Sequence, residues 1–156
     1  MFPPETVAFV EAGSAEIVAT VAADGTPRAS RGWGITVLDR EAGRIRLLLD
    51  AGEAVTLANV EATGAIAITA TDVPTLRSLQ MKGMASSVEP ATEHDLDRSA
   101  QYTFEFFRDV EATDRIPSDK MRRIVPHALV ACTVDVQELF DQTPGPSAGT
   151  RVDRDG

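Results

Sequence analysis

The stretch of residues 76–89 constrains the fold more than any other part of the sequence. Apolar Leu79 and Met81 alternate in it with polar residues, and alternation of period two predicts a strand with one face in a core. Gly83 interrupts this pattern, and a glycine inside a strand marks a bulge, a bend or the close approach of another group. A long strand that bends at a glycine is what a small closed sheet requires. The sequence therefore predicts a β-barrel organised around this strand.

The rest of the sequence predicts five further strands and four helices that close around this strand. Segments rich in β-forming residues predict strands at 16–22, 28–38, 44–49, 65–71 and 129–136. Asp24 and Gly25 supply the tight turn of a hairpin between the first two. Helical spacing and capping residues predict helices at 3–12, 50–63, 92–111 and 118–124. The predicted fold class is mainly β with helical additions.

Two of these elements have faces that the residue pattern assigns. Strict alternation in the strand 28–38 predicts one face made of Ala29, Arg31, Trp33, Ile35 and Val37. In the helix 92–111, Thr92 is a good N-cap. The apolar residues of that helix recur at three and four positions and predict one buried stripe of Leu96, Ala100, Phe104, Phe107 and Val110.

Composition limits the domain count and the partners. With 156 residues, 43% of them apolar, the chain is expected to form one domain at 1–140, followed by a Pro- and Gly-rich tail at 141–156 that is partly mobile. The formal net charge of −9 makes nucleic acid and anionic membranes poor partners. No apolar run is long enough to span a membrane. The single Cys132 lies in an apolar alternating run, and a buried reduced thiol fits a cytoplasmic protein.

Three segments resemble those of a known superfamily. They read ATVAADGTPRAS, NVEATGAIAI and LQMKG. Together with the order of elements, they are similar over roughly residues 8–89 to the pyridoxamine 5′-phosphate oxidase-like FMN-binding split-barrel superfamily, and the ending FDQTPGP is similar to that of a bacterial branch of it. The resemblance implies a six-stranded antiparallel split β-barrel. It also implies a homodimer with a small-molecule ligand, usually FMN, in each of two clefts between the subunits.

The resemblance further implies which residues bind the cofactor. The second and third strands would contribute Ser30, Arg31, Gly32, Trp33, Leu49 and Asp50. The strand 76–89 would contribute Ser78, Gln80 and Lys82, which share one face; a solvated strand face is the alternative interpretation. Trp33 either stacks on a planar ligand or packs in a core or a dimer interface.

The phosphate clamp of the family is absent from this sequence. The clamp, commonly Ser-Arg-Lys, falls on Ala54, Val55 and Thr56. A phosphate without it loses charge-assisted hydrogen bonds of about 1.5–3 kcal/mol each. The Thr56 hydroxyl and the backbone amides at the helix start remain as donors. Arg28, Arg31 or Lys82 would replace the missing charge, and Arg31 and Lys82 are preferred because both flank the expected cleft.

No residue is indicated as acid, base, nucleophile or metal ligand. His94 and His127 have no partner at the spacing of a triad or a metal site. Surface or structural positions are the alternative for both. The catalytic residues are therefore left open, which is consistent with flavin chemistry, where the cofactor carries the reaction.

Three functions of different classes follow. The favoured one is an FMN-binding protein that acts as a flavin-dependent oxidoreductase on an unknown small molecule. The second is a split-barrel enzyme that uses a deazaflavin or another planar cofactor. The third is a non-catalytic ligand-binding module whose cleft lacks the phosphate clamp, and it would need no cofactor. Oxidation of pyridoxamine phosphate itself is disfavoured because the chain offers too few cations for two phosphates.

Overall fold

The computed structural model describes residues 2–152 of the chain, except for the side chain of Ser87. Seven strands, four helices and a 3-10 turn at Arg122–Ile124 follow one another in it. The strands are β1 (Ala15–Val21), β2 (Pro27–Asp39), β3 (Arg44–Asp50), β4 (Ala65–Thr71), β5 (Ser78–Pro90), β6 (Leu129–Asp141) and β7 (Thr150–Arg151). The helices are α1 (Pro4–Val10), α2 (Ala54–Thr63), α3 (Glu93–Asp114) and α4 (Ser118–Met121).

The six long strands form a closed antiparallel barrel. Their order is β3-β2-β1-β4-β5-β6, and the pairing of β3 with β6 joins the two ends. This confirms the predicted mainly-β fold with a six-stranded antiparallel barrel of the split-barrel type. β5 makes long ladders with both β4 and β6, so the strand read first from the sequence lies within the sheet and not at an edge.

The barrel interior is filled by inward-facing aliphatic side chains from all six strands. Phe9 and Val10 of α1 join this core from one end. The buried strand residues include Val18, Ile35, Ile45, Leu47, Leu49, Ile66, Ile68, Met81 and Val134. Burial of these side chains removes apolar surface from water and is the main force that closes the barrel.

Gly83 is the point of closest approach between β5 and β6. A Cβ atom on Gly83 would lie 2.1 Å from the carbonyl oxygen of Asp135. Lys82 pairs with Glu138 and Gly83 with Val136, so one residue of β6 is left over. The predicted irregularity at Gly83 is confirmed, and the extra residue of the bulge is Gln137, on the partner strand.

A second bulge changes the faces of β2. Gly32 pairs with Leu49 and Ile35 with Leu47, so two residues of β2 oppose one of β3. The extra residue reverses the alternation beyond it. Ile35 lies inside the barrel, whereas Trp33 lies outside it. The predicted single face from Ala29 to Val37 is therefore wrong.

α3 packs on the outside of β2, β3 and β6 through a second cluster of buried residues, which includes Trp33, Leu48, Tyr102, Phe106, Phe107 and Val110. Thr92 caps the helix, as predicted, and it also forms a capping box with Asp95. Leu96 and Phe104 are 51% and 69% exposed, so the predicted stripe is wrong for these two residues and for the exposed Ala100. The reason is Asp95, which binds Arg46 of β3 through two hydrogen bonds of 2.7 and 2.8 Å and turns its own face of the helix toward the sheet.

The C-terminal region continues the sheet beyond the predicted last strand. β6 runs to Asp141, and β7 pairs with its end. The predicted division into a domain at 1–140 and a tail at 141–156 stays a prediction, and residues 153–156 of that tail lie outside the described residues. Among residues 2–152, no helix combines the length and the apolar character that a membrane-spanning helix needs.

Candidate functional site

The first turn of α2 is an uncapped helix start. Its N-cap residue, Glu53, makes no capping hydrogen bond through its side chain. Among the described residues, no acceptor is bonded to the amides of Val55 and Thr56. Free amides at a helix start carry a partial positive charge and attract anions.

Two buried hydroxyl groups of α2 and β2 have no hydrogen-bond partner within residues 2–152. They are Thr56 Oγ1 and Ser30 Oγ. Thr56 is completely buried, and Ser30 is half-buried on β2 opposite Val18. Because buried polar groups are normally paired, two orphaned hydroxyls indicate a site for a polar group from outside the chain.

Arg28 places a positive charge at the same end of α2. Its Nη2 atom lies 3.1 Å from Oε2 of Glu53, the residue that precedes the helix. Arg28 pairs with Thr20 on β1, and the Thr20 hydroxyl accepts a hydrogen bond of 3.1 Å from Asn59 of α2. The ladder and this hydrogen bond fix Arg28, β1 and α2 relative to one another.

The predicted cationic partners Arg31 and Lys82 lie on the other side of the sheet. Arg31 pairs with Ile17, so the two share the face opposite to that of Thr20 and Arg28. The Arg31 guanidinium stands 5.6 Å from the centre of the Phe106 ring, and Lys82 Nζ stands 4.6 Å from the centre of the Phe140 ring. The structure thus selects Arg28 as the cation beside α2, which the sequence left as the less favoured candidate.

The outer face is the side of the sheet that carries Arg31 and Lys82. Cross-strand pairs place on it Ile17, Ala19, Ala29, Arg31, Ala67, Thr69, Gln80 and Lys82. Gln80 donates to the Thr69 hydroxyl at 3.2 Å. Ser78 lies on the same face, two residues before Gln80, and is buried. Its hydroxyl is 2.9 Å from that of Thr71. Ala19, Ala29 and Ala67 contribute only short side chains to this face, and Ile17 is 45% exposed on it.

The other predicted cofactor residues lie apart from both places. Trp33 is buried in the cluster under α3, which favours the core interpretation over stacking on a ligand. The Leu49 side chain is inside the barrel. Asp50 is half-buried and accepts a hydrogen bond of 2.8 Å from the amide of Gly52. The ten predicted residues therefore do not form one cluster within a single chain.

Glu16 is a buried carboxyl group that the sequence reasoning did not single out. Its Oε2 atom accepts a hydrogen bond of 3.0 Å from the amide of Gly34 and lies 2.4 Å from where a Cβ of Gly32 would be. Burial raises its pKa to about 8, against the opposing effects of the Gly34 hydrogen bond and the Arg98 charge. The second oxygen has no partner among the described residues. The sequence signal for this buried group was an acidic residue at an inward position of a β-rich segment, next to a strand with two glycines.

Comparison with known proteins agrees with this architecture. The sequence model of the family described as pyridoxamine 5′-phosphate oxidase matches residues 2–135. A pyridoxamine 5′-phosphate oxidase candidate from Lactobacillus delbrueckii superposes with a TM-score of 0.54 at 21% identity, over 89% of this chain and 93% of that one. A search of curated proteins finds no match.

Two further solved structures have the same fold. HutZ, the heme storage protein from Vibrio cholerae, gives a TM-score of 0.53 at 19% identity and covers 88% of this chain and 92% of its own. An F420 reductase gives a TM-score of 0.52 at 17% identity, over 88% of this chain and 98% of its own. Identities this low establish a shared fold, and proteins of this fold differ in what they bind.

Proposed function

Because this chain belongs to the pyridoxamine 5′-phosphate oxidase family, we propose that it binds FMN and acts as a flavin-dependent oxidoreductase on a small molecule. The observation that carries the proposal is the uncapped start of α2 beside the orphaned hydroxyls of Thr56 and Ser30. These groups are donors without acceptors, and a phosphate monoester supplies acceptors with negative charge.

The residues at this place fit a phosphate, though with fewer charges than the family clamp. The amides of Val55 and Thr56 and the Thr56 hydroxyl would donate to its oxygens. Arg28 would leave Glu53 and pair with the phosphate instead. Glu53 stays nearby as a like charge and opposes the phosphate, so we expect weaker binding than a Ser-Arg-Lys clamp gives.

The chain's contribution to chemistry is position and electrostatics. Bound FMN would supply hydride transfer at its ring. Gln80 on the outer face has an amide that can bond a planar polar ring edge, and Arg31 adds a positive charge on the same face. Because this face lies on the opposite side of the sheet from Arg28 and α2, these two groups would reach the flavin ring from the partner subunit of the proposed homodimer. No described side chain is assigned as acid or base. None of these residues identifies the substrate.

A homodimer with clefts between the subunits is part of the same proposal. The outer face carries the exposed Ile17 and Met84 and the short side chains of Ala19, Ala29 and Ala67. Exposed apolar side chains on a sheet face favour contact with a two-fold partner. Pairing of two outer faces would place Arg31, Gln80 and Lys82 of both chains around the interface. A cytoplasmic location belongs to the proposal too, supported by the free and buried Cys132.

Other cofactors are alternatives on the same fold. A deazaflavin resembles FMN in its planar ring and its phosphate, and one relative of this fold is an F420 reductase. Another is a heme storage protein, and heme would need an axial ligand, for which the sequence offers His94 and His127. A binding module without a cofactor is the remaining alternative.

The absorbance spectrum of the purified protein separates these functions. FMN gives the flavin bands, a deazaflavin a single band at shorter wavelength, and heme a Soret band. The proposal predicts flavin bands after incubation with FMN and gel filtration, and bleaching when a reduced nicotinamide is added under argon. Flavin bands that a reduced nicotinamide does not bleach would support a flavin-binding protein and contradict the oxidoreductase. A protein that retains no flavin would contradict both parts.

A further inference from the structure

α3 carries more apolar surface than the core uses. Its inward face packs Tyr102, Phe106 and Val110 against the barrel. A second apolar row of Leu96, Ala100 and Phe104, spaced four residues apart, faces away from that core. A helix on a globular domain needs one apolar stripe, so the second row indicates contact with something outside this packing.

The second row forms one wall of a groove. α4, the residue after the 3-10 turn and the start of β6 form the opposite wall through Ser118, Val125 and Leu129. Phe107 closes the floor between the two walls, and the groove encloses about 760 Å³. This volume is in the range of sites that hold small organic molecules. The row from Leu96 to Arg108 spans about 18 Å at 1.5 Å per residue, which gives the groove the shape of a channel for a chain-like molecule.

Arginine side chains line the groove of this acidic protein. Arg108 and Arg122 both line it, together with the single acid Glu111. Arg122 makes no ion pair with another residue in the range 2–152, and Arg108 is bonded at 2.9 Å to its own neighbour Asp109. Because Asp109 already balances the charge of Arg108, Arg122 is the arginine of the groove that is left without an ion pair within residues 2–152. A ligand with one negative charge suits a single arginine better than a dianion does.

We propose that this groove binds an amphipathic monocarboxylate, with an unbranched alkyl body along Leu96, Ala100 and Phe104 and the carboxylate on Arg122. Guanidinium groups bind carboxylates through paired hydrogen bonds, and the exposed aromatic and aliphatic side chains bury the alkyl chain. None of the groove residues belongs to the start of α2 or to the outer face, so this site is separate from the one proposed for FMN.

Calorimetric titration of the full chain with sodium dodecanoate, kept below its micelle concentration, tests the site. The wild type should bind one dodecanoate per chain, and affinity should fall about two- to fourfold for each methylene removed down to octanoate. Arg122→Gln should weaken dodecanoate binding about tenfold and leave dodecan-1-ol binding unchanged. The matched control is Arg123→Gln, since Arg123 is the neighbouring exposed cation and does not line the groove. Phe104→Ser, an exposed position that should not unfold the chain, should weaken both ligands.

Four results would overturn this site. The first three are no binding of dodecanoate, equal losses in Arg122→Gln and Arg123→Gln, and a stoichiometry that rises without limit, as in detergent adsorption. The fourth is a dimer by light scattering that does not bind dodecanoate, because a second copy of the chain would then cover the groove. The titration runs without FMN and again with FMN present, so failure of the flavin proposal leaves the dodecanoate result readable.

Discussion

The raised pKa of the buried Glu16 carboxyl should make the free energy of unfolding depend on pH. Its pKa rises from its ordinary value of 4.5 to about 8 because the carboxyl is buried. Between these values the unfolded chain has released the proton and the folded chain retains it, so the unfolded state binds fewer protons and stability falls as pH rises. Each pH unit in this window removes about 1.4 kcal/mol, so the loss is on the order of 5 kcal/mol once pH exceeds 8.

Urea unfolding at pH 5 and at pH 8.5 measures this effect. We expect the wild type to lose several kcal/mol between the two conditions and Glu16→Gln to lose far less, because the amide keeps an acceptor for Gly34 and has no proton to release. Glu61→Gln, at an exposed glutamate of α2, serves as the control and should keep the wild-type dependence. An equal slope in the wild type and Glu16→Gln would show that Glu16 is not the group responsible.

Asp95 has the opposite response to pH. The hydrogen bonds from Arg46, followed by those from Thr92, lower its pKa to about 2 against the effect of burial. Its contribution is therefore complete above the ordinary pKa of 3.8 and is lost as pH falls toward 2. Asp95→Asn should destabilise the fold by about 3 kcal/mol at pH 7, since Arg46 then keeps only the exposed Glu89 as an ion-pair partner, and by much less at pH 2. Thermal unfolding at both pH values checks this, and a constant difference would contradict it.

At the scale of elements, Gly83 is the residue that allows β5 and β6 to approach. Gly83→Ala places a methyl group 2.1 Å from a backbone oxygen and should cost about 2–3 kcal/mol. Gly25→Ala is the comparison, because that turn glycine has open space around it and a φ of +88°, which costs about 1 kcal/mol. Chemical denaturation of the two variants measures both, and an equal loss would show that the close approach is not limiting.

The strands, their closure and the helix caps were predictable from the sequence because each depends on local residue pattern. Alternation gave the β5 strand, and Thr92 gave the start of α3. The faces were less predictable, since one extra residue at Trp33 and Gly34 reverses the alternation of β2. The face of α3 is set by the pair of Asp95 with Arg46, which are 49 residues apart. Such a contact has no signal in the helical spacing itself.

The candidate site was predictable in its elements and less so in its side chains. The start of α2 and the hydroxyl of Thr56 were identified from the resemblance and from the missing clamp. The choice among Arg28, Arg31 and Lys82 needed the register of β1 and β2, which decides the side of the sheet on which each lies. The burial of Glu16 likewise depends on packing against Gly32 from the neighbouring strand.

At the scale of the whole molecule, the proposed dimer should depend on the outer face. Light scattering at micromolar concentration should give twice the chain mass of 16.7 kDa. Ile17→Glu should produce a monomer, because it introduces a charge into the centre of the outer face. Leu38→Glu is the matched control, since Leu38 is similarly exposed and lies at the far end of β2. A wild-type monomer, or a dimer that survives Ile17→Glu, would contradict this interface.

The central claim is that the start of α2 holds the phosphate of a flavin, and comparison of FMN with riboflavin tests it most directly. The two ligands differ only in the phosphate, so titration of flavin fluorescence isolates its contribution. We expect the wild type to prefer FMN at least about tenfold, and Arg28→Gln to remove most of this preference while riboflavin binding stays unchanged. Arg44→Gln, at a surface cation paired with Asp135, should change neither. Equal affinities for FMN and riboflavin, or a preference lost in Arg31→Gln or Lys82→Gln and kept in Arg28→Gln, would contradict the account.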